Sequence, residues 1–268
     1  MGPKRGNSLT SKKRAIQYIQ NAAGIIGFIL LWQFLLEIGI LNEKFMPSPF
    51  DIAKTFVYKL TNENPDGAVL FVHIFTSFKV AITGFAVAVV IGVTLGTLMG
   101  WYKPVEKFVK PLFEVVRPIS PIAWIPLTIL WLGIGLKAKA FIIFFSAFVP
   151  SVINSYTGVK NTPELLINVA KTFGAKNFQI FTKVAVPYSL PMTFAGIRIS
   201  LNNAWATLVG AEMLASDKGL GYLILQGRMF GKADIIIVGM LTIGLVGLLL
   251  SYILTKIEGF VIHKRVAK

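Results

Sequence analysis

Cysteine is absent from the 268-residue chain, which excludes disulfides and thiolate metal sites. Histidine occurs only at His73 and His263, a pair too far apart to suggest a metal site or a catalytic dyad. Charge is scarce as well. Only 15% of residues are charged, against about a quarter in an ordinary soluble domain. Acids are the scarcer sign, 12 against 27 basic residues, leaving a net charge of +15. Such a surplus raises nucleic acid as a partner, but its placement along the chain points elsewhere. No G-x-x-x-x-G-K-S/T loop is present, and the GLG at 219–221 follows no strand, so neither supplies a nucleotide loop. No His, Cys or Asp cluster supports a membrane enzyme.

What fills the chain instead is apolar. Hydrophobic residues make up 54%, and the mean hydropathy is +0.69. A bilayer-crossing helix needs about 20 mostly apolar residues. The segments 80–99 and 235–254 have no charge, 22–41 carries only Glu37, and 140–159 is uncharged with Pro150 inside. Two less regular candidates complete six spans: 119–135, broken by Pro121 and Pro126, and 188–215, which holds Arg198 and Glu212. The expected fold class is therefore all-α, a polytopic membrane protein.

Lys and Arg favour cytoplasmic loops. Lys4, Arg5, Lys12, Lys13 and Arg14 precede the first span, and Lys256, Lys264, Arg265 and Lys268 lie at the other end. Both tails, 1–21 and 259–268, therefore read as cytoplasmic, which requires an even number of spans. Six spans place the loops 101–117 and 160–187 on the same side, with eight further basic residues from Lys103 to Lys183. The basic surplus is thus mostly membrane topology, and no nucleic-acid role is expected. A basic start and an apolar run also fit a signal peptide, but LEIGILNEK offers no small-x-small cleavage site, so a retained first span is expected. In the long external segment after it, Ser48 and Pro49 open an amphipathic stretch over 48–60, with Phe50, Ile52, Ala53, Phe56 and Val57 near helical spacing.

The stretch NVAKTFGAKNFQIFTKVAVP, 168–187, is neither span nor simple loop. Thr162-Pro163-Glu164 has the composition of a helix start: a capping hydroxyl, proline at the first position, and an acid near the positive dipole end. Leu165, Leu166, Val169, Ala170 and Phe173 share one face. Gly174 suits a left-handed helix end. Asn177 is positioned to cap a second short helix, FQIFTKV, which Pro187 is expected to stop. Each helix is too short to stand alone. The pair is either a connector on the membrane face or a plug for a groove in a separate protein.

The same stretch resembles the coupling motif of ABC importer permeases, EAA, three residues, G, nine residues, I-x-L-P. Asn168-Val169-Ala170 stands at EAA, Gly174 follows after three residues, and Val184-Ala185-Val186-Pro187 follows after nine more. Ala170, Gly174 and Pro187 are identical; Asn168 replaces the family's acid. RPISPIAWIPLTILWLGIG (117–135) and GIRISLNNAWATLVGAEMLASDKGLGYLI (196–224) are similar to stretches of the nitrate, sulfonate, taurine and bicarbonate group, in matching order from Thr76 to Glu258. The resemblance implies the type I ABC importer permease fold. Residues 22–78 would hold the first span and the external helix, and 79–258 the permease core with coupling helices at 162–186. It further implies a second copy of the chain, a cytoplasmic ATPase dimer carrying ATP and Mg, and an extracytoplasmic binding protein. The chain itself would be no enzyme and hold no cofactor, and it would lie in a bacterial or archaeal plasma membrane. Leu165, Asn168, Val169, Ala170, Phe173, Gly174, Val184, Val186 and Pro187 would meet the ATPase. The cargo would be a small oxyanion.

Polar groups at membrane depth need partners or a wet path. Arg198, Asn202 and Trp205 share a face by their spacing, and Asn203 and Glu212 join them as candidates for the translocation path. Each also has a structural reading: an anchor for Arg198, interhelical hydrogen bonds for the asparagines, packing for Trp205, and a buried hydrogen bond for Glu212. Arg198 and Glu212 are fourteen positions apart, about 21 Å along a helix, so they cannot pair. An ion-coupled secondary carrier is the competing function, but it calls for a mid-membrane relay and repeated halves that the sequence does not display.

Overall fold

A computed structural model describes residues 26–266 together with 20, 23 and 24. Among the described residues every regular element is helical. In chain order they are α1 (Ile26–Glu37), α2 (Pro49–Thr61), α3 (Leu70–Trp101), α4 (Lys103–Val116), a tight turn at Pro121–Trp124, α5 (Ile125–Leu132), α6 (Leu136–Lys160), α7 (Glu164–Thr172), α8 (Asn177–Ile180), a widened turn (Phe181–Ala185), α9 (Val186–Ala215), α10 (Leu220–Met229) and α11 (Ala233–Val266). Four stretches are long and apolar enough to cross a membrane: α3, α6, Asn177–Leu214 and Ala233–Ile262. A fifth crossing is the bent pair α4 and Pro121–Leu132. The first expected span, 22–41, is described as the twelve apolar residues of α1; residues 22 and 25 and most of the basic tail 1–21 lie outside the described set.

The third crossing departs from expectation. It does not begin near 119 after a loop. Residues 103–116 are already helical, and this helix meets Pro121–Leu132 at 83°. Pro118 and Pro121 account for the break: each removes a backbone donor, and Pro121 disfavours a helical conformation in the residue before it. Ser120 is accordingly extended, with φ −58° and ψ 133°. Pro126 breaks nothing; it sits in the first turn of α5, where its missing N–H has no partner to lose.

The core is the trio α3, α6 and α9. α3 lies against α6 because its facing edge has almost no side chains. Gly84, Ala88, Gly92, Gly96 and Gly100 recur every four residues. A Cβ on Gly84 would stand 2.6 Å from the Ala140 carbonyl oxygen, one on Gly92 2.8 Å from Ser151 Cβ, and one on Gly100 2.8 Å from the Tyr156 carbonyl oxygen. Lipid gives apolar surface no hydrophobic reason to leave it, so close van der Waals contact between backbones holds such helices together. α9 joins at the same level: the Ser151 and Ser200 hydroxyls lie 2.8 Å apart, and Ser200 donates to the Ala147 carbonyl at 2.7 Å. α2 begins as its sequence indicates: Ser48 Oγ accepts the Asp51 N–H at 3.1 Å, and Pro49 opens the helix. Of its apolar stripe, Ile52 is buried and Phe56 half-buried, while Phe50, Ala53 and Val57 are exposed.

Candidate functional site

The elbow between α6 and α9 joins a fixed half to an uncovered half. Thr162 does not cap α7. Its hydroxyl turns back to donate to the Val159 carbonyl at 2.8 Å, closing the end of α6. Pro163 itself occupies the cap position, with φ −58° and ψ 132°, so Thr162 lies one residue too early to reach the free N–H groups of α7. Gly174 takes φ +77°. The Gly174 N–H donates to the Lys171 carbonyl at 2.8 Å and the Ala175 N–H to the Ala170 carbonyl at 3.0 Å, the paired bonds of a Schellman end.

Asn177 is the first residue of α8 rather than its cap; the Lys176 N–H is met instead by Gln179 Oε1 at 2.8 Å. Nor does Pro187 stop the second helix. The chain passes from α8 through the π-type turn Phe181–Ala185 straight into α9. Proline lacks an N–H and its ring crowds the carbonyl four residues earlier. The widened register just before it removes that clash and keeps the axis continuous. Phe181 is the anchor of this half. Its ring lies 5.9 Å from Trp101 and 5.6 Å from Tyr102, and it packs with Val159 and Ala185 where α3 and α6 end. Val184, Val186 and Pro187 are half-buried in this seat.

α7 has no buried residue. Leu165 is 71% exposed and Phe173 87% exposed, with Leu166 and Val169 exposed between them. Asn168 is exposed on the same short helix and Gly174 just past its end, and Ala170 is half-covered. The structure thus brings the expected coupling residues into two groups: an open apolar face from Leu165 to Gly174, and an anchored base from Val184 to Pro187.

The intramembrane candidates also divide. Arg198, Asn202 and Trp205 all turn toward α11. Arg198 pairs with Glu258, Asn202 Oδ1 accepts from the Ser251 hydroxyl at 3.3 Å, and the Trp205 indole N–H donates to the Ile243 carbonyl at 2.9 Å. Trp205 is buried, whereas Arg198, Asn202 and Asn203 are exposed along α9. Glu212 is fully buried at the far end of α9. It accepts from the Ser77 hydroxyl at 2.8 Å and from the Gly221 N–H at 2.9 Å, tying α9 to α3 and α10.

Beside this far end lies a second buried cluster that sequence spacing did not flag. Lys59 Nζ and Asp66 Oδ1 are 2.6 Å apart, and Asp66 Oδ2 lies 2.6 Å from His73 Nε2. Burial opposes the Asp66 charge, but the hydrogen bonds from His73 and Lys59 outweigh it and hold the carboxyl below its usual range. At the surface nearby, α2 and the α10–α11 turn line a cavity of about 600 Å³ whose charged walls include Glu43, Lys44, Asp51, Lys54, Lys232 and Asp234. Thr55 donates to Asp234 there at 2.7 Å.

A bundle of four long helices and one bent crossing, with an exposed two-helix elbow at one end, defines an ABC importer permease fold. The same fold occurs in inward-facing structures of the MetNI methionine ABC transporter: one matches with a TM-score of 0.56 at 20% identity, covering 84% of this chain and 99% of that one. The family model for the binding-protein-dependent transport system inner membrane component matches residues 88–267, and the chain belongs to that family. Its relatives include a putative ABC transporter permease of Methanocaldococcus jannaschii, 38% identical over 86% of both chains. The taurine transport system permease of Escherichia coli is 30% identical over 83% of this chain and 81% of its own. The nitrate import permease of a Synechocystis strain is 30% identical over 97% and 95%. The chain is therefore the permease subunit of an ABC importer, a multi-pass inner-membrane protein.

Proposed function

We propose that this permease works as one of two copies, drawn inward and outward by a cytoplasmic ATPase dimer that grips α7, and that it imports a small oxyanion handed over by an extracytoplasmic binding protein. The observation that carries the reading is the uncovered apolar face of α7 on a seated base. Four large apolar side chains stand free on one short helix, a face that water penalises and a groove in a partner would cover. The base runs continuously into α9, so a displacement of α7 reaches the spans through helix rather than through slack loop. In this reading ATP and Mg are bound, and ATP is hydrolysed, on the partner subunit.

The basic residues beside the elbow favour a cytoplasmic side for that end and for both tails. The cavity at the α2 and α11 end then faces outward, where its mixed charges suit a soluble binding protein. Arg198, Asn202 and Asn203, exposed on α9, are the groups for an anion to pass. The taurine and nitrate importers among the relatives favour that cargo class.

Replacing Gly174 by valine tests the coupling. Its φ of +77° costs a branched residue about 1–2 kcal/mol, and the Schellman end opens. The variant is expected to insert normally, to lose most co-purifying ATPase, and to take up little substrate. Full ATPase retention and uptake would contradict the reading.

A further inference from the structure

α4 stands upright beside α6. Near its start, Glu106 accepts from the Tyr156 hydroxyl and from Lys160 Nζ at 2.6 Å. Two turns on, the Phe113 ring meets Phe148 with centres 6.2 Å apart. Contacts climb α4 as they step back along α6, so the two helices run antiparallel. Arg117, just past the end of α4, shares a cavity with Phe144, Phe145 and Phe148. Phe148 lies twelve positions before Lys160, about 18 Å along the helix. Arg117 therefore sits well inside a hydrocarbon core about 30 Å thick.

The helix has three faces. Val105, Val109 and Phe113 pack on α3 and α6. Phe108, Leu112 and Val115 form an exposed apolar face. The third face is a stripe at heptad spacing, Lys103, Lys107, Lys110, Glu114 and Arg117, with every member exposed. Its lower part opens on a cavity of about 680 Å³ lined by Lys103, Glu106, Lys107, Lys110 and Pro111. Lipid accepts the apolar face but not the stripe, because charges at membrane depth need a partner or water. Arg117 and Glu114 lie 3.4 Å apart and both are half-exposed, so they satisfy each other only in part.

We propose that this stripe lines the elbow-side half of the translocation path, with Arg117 as the anion-binding residue at its deep end. Four cations to one carboxylate draw a small oxyanion from Arg117 past Lys110 and Lys107 to Lys103, in steps of two turns or less. Glu114 weakens the hold at Arg117, and a path conducts only if its sites also let go. That the solute is an anion rests on the proposed function; that the stripe faces water does not.

The test uses single cysteines in the full chain, which has none of its own, in lipid nanodiscs. Two thiol reagents are compared: anionic sulfonatoethyl methanethiosulfonate and cationic trimethylammonioethyl methanethiosulfonate. Each rate is divided by that reagent's rate with 2-mercaptoethanol in water. Reaction requires a thiolate, and hence water, so E114C is expected to react with the anionic reagent at least about tenfold faster than V115C on the apolar face. E114C should also prefer the anionic reagent by at least about tenfold, the effect of one positive charge about 6 Å away in water on opposite unit charges. Adding R117Q should lower that preference at least about threefold. Equally slow reaction of E114C and V115C puts the stripe against protein or lipid and overturns the proposal, while leaving coupling at α7 standing. Reaction without preference for the anion, or a preference indifferent to R117Q, overturns the role of Arg117. Should E114C fold poorly, K110C against L112C reads the same two faces. Full ATPase retention in G174V would overturn the coupling reading and leave these rates unchanged.

Discussion

Gly96 leaves no room for a side chain: a Cβ there would run into the Val152 carbonyl and meet Ser155 Cβ at 3.0 Å. G96V is expected to push α3 off α6 and to cost about 1–3 kcal/mol, the usual cost of overpacking, measured as a loss of thermal stability in detergent. The same change at Gly244, where nothing lies within 4 Å, should be far milder. At Asp66 the cost comes from charge. D66N strands the Lys59 ammonium in a buried site, which typically costs about 3–5 kcal/mol. The sign of the pH dependence follows from the depressed carboxyl. Its stabilisation is complete above the unfolded carboxylate range and is lost only as pH falls through the lower folded value. Acid titration of unfolding should therefore show an additional loss at strongly acidic pH that D66N removes. Both residues show how legibility varies. The four-residue glycine rhythm is written in the sequence and needed only the membrane packing rule. The Lys59–Asp66–His73 chain was not legible, because it joins α2, a loop and α3 through a tertiary contact that no local spacing encodes.

Among the elements, α9 ties its polar stripe to α11 rather than leaving it free. The spacing of Arg198, Asn202 and Trp205 correctly placed them on one face, but spacing cannot say what that face meets. Arg198 and Glu258 form a partly exposed pair, and such pairs contribute about 0–1 kcal/mol. R198Q should accordingly leave the melting temperature within a few degrees of wild type. If its transport falls nonetheless, the guanidinium acts on the passing anion; unchanged transport would contradict a place for Arg198 in the path. The elbow was legible in composition, since Gly174 and the apolar face stand where the pattern put them. Its joints were not. Thr162 was spent on α6 and Pro187 was absorbed by a widened turn, and both outcomes depend on the helices flanking the elbow, not on the elbow itself.

For the whole molecule, the proposed function requires the elbow to lie on the cytoplasmic side as a handle, seated by Phe181 and open at α7. The absence of native cysteine makes the decisive measurement simple. Phe173→Cys places one thiol at the most exposed large apolar side chain of the handle. In intact cells a membrane-impermeant maleimide should leave it unlabelled. In inverted vesicles it should label readily, and an ATPase subunit bound to the permease should block that labelling. Labelling of intact cells from outside, or labelling in vesicles indifferent to the ATPase, would contradict the coupling role assigned to α7.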